Sequence, residues 1–292
     1  MTSLHSPIPR RPRARLVPAL LSGLVAALLP TVGLAAGPAA SAAPTSTVPV
    51  SAGVAVAGLA GAPTADAERA SYWRKVGTEP FNRLDTSRWG VFSGKPGCCA
   101  DAEWSPSMAK VSNGQLKLHT APRDGRWLSG GVGGWGWDTA VRQYGRWDAR
   151  IKFDKGAGVS AAALLWPTGD SWPPELDFYE IFETWGQRDK MSVTTHYKGS
   201  RGEHLRSQKV VARDFSRWHV ASVRWMPGRV AYFLDGRQIK VETQAARIPR
   251  GKMWVGFQTH AHKINGRYAA LPEGRSSVAL SVDWVKVYAR NR

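Results

Sequence analysis

The sequence of 292 residues has only two cysteines, five methionines and 22 acidic residues, against 40 lysines and arginines, for a formal net charge of +18. Two cysteines exclude a scaffold held by several disulfides, and because Cys98 and Cys99 are adjacent, with no His or second Cys pair at ligand spacing, they make no zinc site. Ordinary disulfides join Cα atoms about 4.4–6.8 Å apart, whereas trans-linked neighbours are held at about 3.8 Å. Oxidation would therefore close a strained vicinal ring; two free thiols or a bridge to another molecule are the alternatives. No long amphipathic helix pattern is present, which turns the reading away from helical architectures. The glycine-rich run Gly130-Gly131-Val132-Gly133-Gly134-Trp135-Gly136-Trp137 lacks the lysine or fixed glycine spacing of a phosphate-binding loop. Lys and Arg are scattered rather than clustered and no recognised binding motif accompanies them, so nucleic acid is not the expected partner. The basic surface suits an acidic cell envelope or an anionic polysaccharide, or reflects only a compositional bias.

The chain opens with Arg10, Arg11, Arg13 and Arg15, an apolar run from Leu16 to Ala36, and Ala40-Ser41-Ala42. This is the pattern of a secretory signal peptide, residues 1–42, cut after Ala42, which predicts a secreted protein with no stable membrane insertion after cleavage. The run is nearly long enough to span a bilayer, but Pro18, Pro30 and the small-residue tail argue against a retained anchor. Loss of those four arginines would leave a charge of +14. Residues 43–70 are Ala, Val, Thr, Pro, Gly and Ser with almost no charge, and read as a flexible linker. From residue 71 the composition changes: thirteen of the fourteen Trp fall between Trp89 and Trp284. Residues 71–292 are long enough for one sizeable core.

Within that domain the periodicity is that of strands. Gln115-Leu116-Lys117-Leu118-His119 alternates after an Asn113-Gly114 turn, Val220 to Trp225 alternates, and Val230 to Leu234 runs into Asp235-Gly236, a hairpin signal. Many short strands separated by Gly and Pro predict an all-β antiparallel sandwich.

The scarce acids are concentrated at one place. Glu175, Asp177, Glu180 and Glu183 lie within nine residues, interleaved with Leu176, Phe178, Tyr179, Ile181 and Phe182. On a regular strand Glu175 and Asp177 share a face and Glu180 points to the other. A β-bulge at Phe178-Tyr179 would return Glu180 to the same face. Three carboxylates on one face repel, so at least one should stay protonated near neutrality while another ionises. An acid beside a nucleophile is what glycoside hydrolysis with retention requires, with carboxyl groups about 5–5.5 Å apart. Glu183 is expected to be solvated or structural.

Glu-Leu-Asp-Phe-Tyr-Glu resembles the Glu-x-Asp-x-x-Glu signature of glycoside hydrolase family 16, in the bulged form of its laminarinase-like and β-glucanase-like members. Leu84-Asp85-Thr86-Ser87-Arg88-Trp89, Tyr144-Gly145-Arg146-Trp147-Asp148-Ala149-Arg150 and Val282-Asp283-Trp284-Val285-Lys286-Val287-Tyr288 resemble the family in the same order. The resemblance implies a β-jelly roll of two curved antiparallel sheets with a cleft on the concave face. It also implies Glu175 as nucleophile, Glu180 as general acid/base and Asp177 as the hydrogen-bonded spacer. Trp172, three residues before Glu175, is expected beside the sugar being cleaved, and His196 on the strand after the acids. Aromatic walls suit sugar C–H faces, so Trp166, Trp135 and Trp137 join the candidate binding set; Gln258 and His260 share a face of a later strand. Asp283 matches an aspartate that in several members helps hold a structural calcium; no cofactor is implied for catalysis. The expected activity is a secreted, monomeric endo-glycosidase acting on a polysaccharide, a β-1,3- or β-1,3-1,4-glucan first and an acidic galactan second. Transglycosylation, or glycan binding without cleavage, remain open on the same scaffold.

Overall fold

The computed structural model describes residues 72–96 and 101–291. The signal-peptide and linker readings and the Cys98-Cys99 pair lie outside them.

Among the described residues two large, almost wholly antiparallel sheets pack face to face, and Lys263–Ile264 with Arg267–Tyr268 form a separate two-stranded ribbon. The smaller has seven strands, here β1 (Gly90–Val91), β2 (Gly131–Gly133), β3 (Val159–Pro167), β4 (Glu175–Ile181), β5 (Lys190–Lys198), β6 (His204–Ala212) and β7 (Met253–Ala261). Their order across the sheet is β6-β5-β4-β3-β7-β2-β1. The larger has ten strands, with Gly145–Phe153, His219–Met226 and Val278–Arg290 adjacent at its centre and one short parallel contact, Glu103–Trp104 with Arg126–Ser129, at its edge. Among the described residues no helix is long and apolar enough to cross a membrane.

Alternation decides which face of each strand is buried. Ala161, Ala163 and Leu165 of β3 and Met253, Val255 and Phe257 of β7 enter the core between the sheets, where they meet Trp147, Ile151, Val223, Trp225, Val285 and Val287 of the larger sheet. The turns follow the expected chemistry. Asp235 (φ 48°) and Gly236 (φ 79°) join Arg229–Leu234 to Arg237–Glu242, and Asn113 (φ 53°) with Gly114 (φ 67°) opens the strand Gln115–Arg123. Positive φ at both central residues is what a tight hairpin of matching twist needs.

The exception to simple alternation is β4. Leu176 pairs with Leu165 and Asp177 with Leu164, but Tyr179 pairs with Ala163, so Phe178 is the extra residue. On the other edge the register to β5 shifts between Asp177 and Glu180. The apolar side chains of β4, Leu176, Phe178, Tyr179 and Ile181, all enter the main core.

Candidate active site

The bulge gives Glu175, Asp177 and Glu180 one common face, turned away from the core. Opposite them on β5, Glu175 pairs with His196, Asp177 with Thr194 and Glu180 with Ser192. Directly paired residues share a face, so Ser192, Thr194 and His196 border the acids.

Each carboxylate has different company. Glu175 Oε2 accepts a hydrogen bond from Trp172 Nε1 at 3.0 Å, and Asp177 lies two residues along on the same face. His196 Nε2 lies 3.0 Å from Asp177 Oδ2, off the line a hydrogen bond prefers. His196 Nδ1 in turn is 2.7 Å from Nε2 of His204 on β6, and Trp172 packs on the His204 ring at 4.1 Å between centroids. Glu180 Oε2 accepts hydrogen bonds from Ser192 Oγ (2.9 Å) and Thr194 Oγ1 (2.8 Å), and Gln208 Nε2 bonds to both hydroxyls at 3.2 Å, fixing their direction.

These surroundings set the proton affinities. Burial, followed by the adjacent Asp177 charge, pushes Glu175 well above the ordinary carboxylate range. Burial and Asp177 also raise Glu180, to about 7, against the opposing pull of His196 and of the Thr194 and Ser192 hydroxyls. The site therefore holds protons near neutrality that isolated glutamates would have lost.

Beside the acids, the outer face of the smaller sheet is aromatic. Phe92, Trp104, Trp166 and Trp254 pack together with Ala162 and Leu164, and Trp172 closes the cluster at the acidic end. Trp135 is 42% exposed, lies parallel to Phe92 with centroids 6.0 Å apart, and meets Trp254 edge-on at 5.4 Å. Side chains added to Gly90 or Gly133 would overlap its ring, so those glycines are the bed on which Trp135 lies. Gln258 shares the face, opposite Ala162 and Gly131.

Two sequence expectations need correction here. Trp137 is 4% exposed and packs against Trp89 in the main core, so it is structural rather than part of the outer face. Trp166 does face outward from β3 but is 1% exposed, a floor under the other rings rather than a contact surface. Asp283, the calcium candidate, has Oδ2 2.6 Å from Arg150 Nη1. Among the described residues the one group of three ligand-type side chains close enough for a metal is Glu175, Asp177 and His196, the site itself. His204, Gln208, Trp254, Phe92 and Trp104 were missed by sequence reasoning; His204 and Gln208 stand four residues apart on β6 and so share a face.

Replacing Gly133 by Ala should displace Trp135 without unfolding the protein. Loss of one aromatic platform is worth about 0.5–1.5 kcal/mol, so KM for a cleaved polysaccharide should rise about two- to tenfold with kcat nearly constant. Trp135→Ala should give the same result in steady-state kinetics; an unchanged KM in both would remove Trp135 from the binding surface.

Residues 99–286 match the family model described as glycosyl hydrolases family 16. Among curated proteins, the chain is 25% identical over 185 residues to the endo-1,3-1,4-beta-glycanase ExoK of Rhizobium meliloti, covering 61% of this chain and 66% of that one. It is 25% identical over 138 residues to ExsH, an endo-1,3-1,4-beta-glycanase of the same organism, covering 44% of this chain and 29% of that one. The match thus spans less than two thirds of either relative. Among solved structures, the catalytic domain of an endo-1,3-beta-glucanase (laminarinase) from Thermotoga petrophila superposes with a TM-score of 0.62 at 19% identity, over 75% of this chain and 99% of that one. The endo-beta-1,3-glucanase of Pyrococcus furiosus gives 0.62 at 17%, over 75% and 95%. At these identities the superpositions establish a shared fold.

Proposed function

From the premise that the chain belongs to family 16 of the glycosyl hydrolases, we propose that it is a secreted, endo-acting β-glucan hydrolase that works by double displacement with retention of configuration. The observation that carries this reading is the bulge in β4, which gives Glu175, Asp177 and Glu180 a single face bordered by aromatic rings. The names of the relatives favour a β-1,3- or mixed-linkage β-1,3-1,4-glucan.

In the first step, ionised Glu175 attacks the anomeric carbon while Glu180 gives its proton to the departing glycosidic oxygen. The product is a glycosyl ester of Glu175 and a free sugar hydroxyl. In the second, Glu180, now ionised, takes a proton from water as that water attacks the same carbon, and Glu175 leaves as carboxylate. Asp177, between the two glutamates on the same face and 3.0 Å from His196, is the spacer whose charge acts on both. Trp172 directs Nε1 at Glu175 and so sets the wall nearest the reacting sugar. The reaction requires no cofactor in this scheme. The basic, apolar N-terminal pattern of residues 10–42 supports secretion.

The test is release of reducing ends from a panel of laminarin, barley mixed-linkage glucan, agarose and carrageenan. Cleavage of one or both glucans is expected; cleavage of a galactan alone would overturn the substrate, and binding without cleavage of any polymer would overturn the enzyme. Products longer than an added oligosaccharide would show transfer to a sugar in place of water.

A pH profile follows from the proton affinities. Glu180 must be protonated to donate, so kcat/KM should fall as pH rises through about 7. Glu175 must be ionised to attack, and its raised affinity places the acidic limb above the ordinary glutamate range. The limbs belong to the coupled pair rather than to either residue. Thr194→Val removes a donor that favours ionised Glu180, so the alkaline limb should move to higher pH; a limb that moves down or stays in place would refute the assignment.

A further inference from the structure

We propose that the outward face of the larger sheet, on the side of the molecule away from Glu175, Asp177 and Glu180, is a docking surface for an anionic polysaccharide. The proposal stands apart from the chemistry of those three acids.

On the three central strands of that sheet, Gly145–Phe153, His219–Met226 and Val278–Arg290, the inward residues are apolar and buried in the core. The outward positions carry six cations, Arg146, Arg150, Lys152, Arg224, Lys286 and Arg290. They carry two carboxylates, Asp148 and Asp283, each 2.6 Å from an arginine of the same face. Lys117 and Arg229 extend the positive surface onto the strands at either side. A sheet that needed only solubility would mix both signs; this one concentrates one sign over a continuous area.

The cations are also held in place. Every one of the six lies over an aromatic ring: Arg146 on Tyr288 at 4.6 Å, Arg150 and Lys152 on Trp218 at 4.7 and 4.9 Å, Arg224 on Phe233 at 3.8 Å, Lys286 on Trp284 at 4.2 Å and Arg290 on Tyr72 at 5.1 Å. Long basic side chains normally lose much rotamer freedom when they bind. Here the rings have already ordered them, which favours binding of a repeating negative charge.

The same arrangement selects the class of partner. Single-stranded nucleic acid is held by stacking its bases on open aromatic platforms, and on this face each of these rings is capped by a cation. Duplex readout needs a helix or ribbon that projects into a groove, whereas this surface is a sheet. A flexible chain of sugars bearing carboxylate or sulfate groups needs neither, and its binding here would tether the domain to an anionic matrix while leaving the face of Glu175, Asp177 and Glu180 free.

The test uses the full chain, with polygalacturonate and dextran sulfate as the two anionic probes and neutral dextran as the blank. The variant reverses three charges, Lys152→Glu, Arg224→Glu and Lys286→Glu together, with thermal unfolding to confirm folding. Wild-type protein should bind one or both polyanions and not dextran, and the variant should bind about tenfold more weakly or worse. Loss for polygalacturonate alone would identify uronates as the source of the charge, and for dextran sulfate alone, sulfates. Should the variant not fold, wild-type binding is read against salt: log affinity should fall linearly with log salt concentration, as for counterion release. Unchanged binding in a folded variant, salt-independent binding, or displacement of the polyanion by a neutral oligoglucan would each overturn the proposal. Tighter binding to single-stranded DNA or to phosphatidylglycerol vesicles would overturn it in favour of another class of partner.

Discussion

Glu175→Gln should lower the rate of glucan cleavage on the order of 10⁴-fold or more, because removing a covalent nucleophile leaves only the binding and acid-base contributions. Glu180→Gln should cost about 10²–10⁴-fold, the usual contribution of a positioned acid. Both variants should fold, and both should be more stable than the wild type above neutrality. The sign follows from linkage. Glu180 titrates at about 7 in the folded protein against an ordinary value of 4.5. Between those values the folded state binds more protons than the unfolded state, so stability falls as pH rises through the window. Above 7 the full penalty is present, of order 3 kcal/mol at most. Glutamine does not ionise, so the penalty disappears, and the melting temperature of Glu180→Gln should exceed that of the wild type by an amount that grows from acid to neutral pH. Burial and Asp177 displace Glu175 in the same direction, so Glu175→Gln should behave likewise. A stability gain coupled to loss of activity separates functional acids from structural ones; variants that lose activity and stability together would show carboxylates that hold the fold.

Arg188→Ala should destabilise the domain strongly, by about 3–5 kcal/mol. Arg188 is 0% exposed, and its guanidinium donates to four backbone carbonyls: Asp154 (2.8 Å), Gly156 (2.6 Å), Val159 (3.1 Å) and Trp185 (3.2 Å). It also stacks on Phe153 at 3.8 Å, and burial lowers its proton affinity to about 10, still charged at neutral pH. One side chain thus satisfies carbonyls from the loop before β3, from β3 itself and from the loop after β4. Its removal leaves buried acceptors unpaired and a cavity beside Phe153. Arg188→Met restores most of the volume and none of the donors, so the part of the loss common to both variants measures the hydrogen bonds. A melting temperature lowered by roughly 6–20 °C is expected in Arg188→Ala; a loss under about 1 kcal/mol would show that the loops pair their carbonyls without it.

The strands, the hairpin turns and the acid face were legible because they follow from local rules. Period-two alternation marks Gln115–Arg123 and His219–Met226, Asp235-Gly236 supplies positive φ, and the odd offset from Asp177 to Glu180 demands an inserted residue. What was illegible depends on partners remote in sequence. Trp135 and Trp137 are two residues apart in a glycine-rich segment, yet one lies exposed over Gly90 and Gly133 and the other fills the core beside Trp89. Composition cannot separate them, since a turn follows the strand there and alternation no longer applies. Arg150 hydrogen-bonds Asp283 from the neighbouring strand, a partner 133 residues away that no local pattern announces. Arg188 stands between the polar Gln187 and Asp189 with no local pattern to mark it; its burial follows from the loops that converge on it. The aromatic cluster of Phe92, Trp104 and Trp254 assembles from three separate strands or loops and has no signature in any one of them.

The central claim is that the bulge presents Glu175 to the anomeric carbon as the nucleophile. It is tested most directly by trapping the intermediate with a 2-deoxy-2-fluoro β-oligoglucoside carrying a dinitrophenyl leaving group, followed by mass spectrometry of the digested protein. The account predicts one fluorosugar on the peptide that contains residues 175–180, attached at Glu175 and absent from Glu175→Gln. Attachment at Glu180, at Asp177 or outside β4 would contradict it.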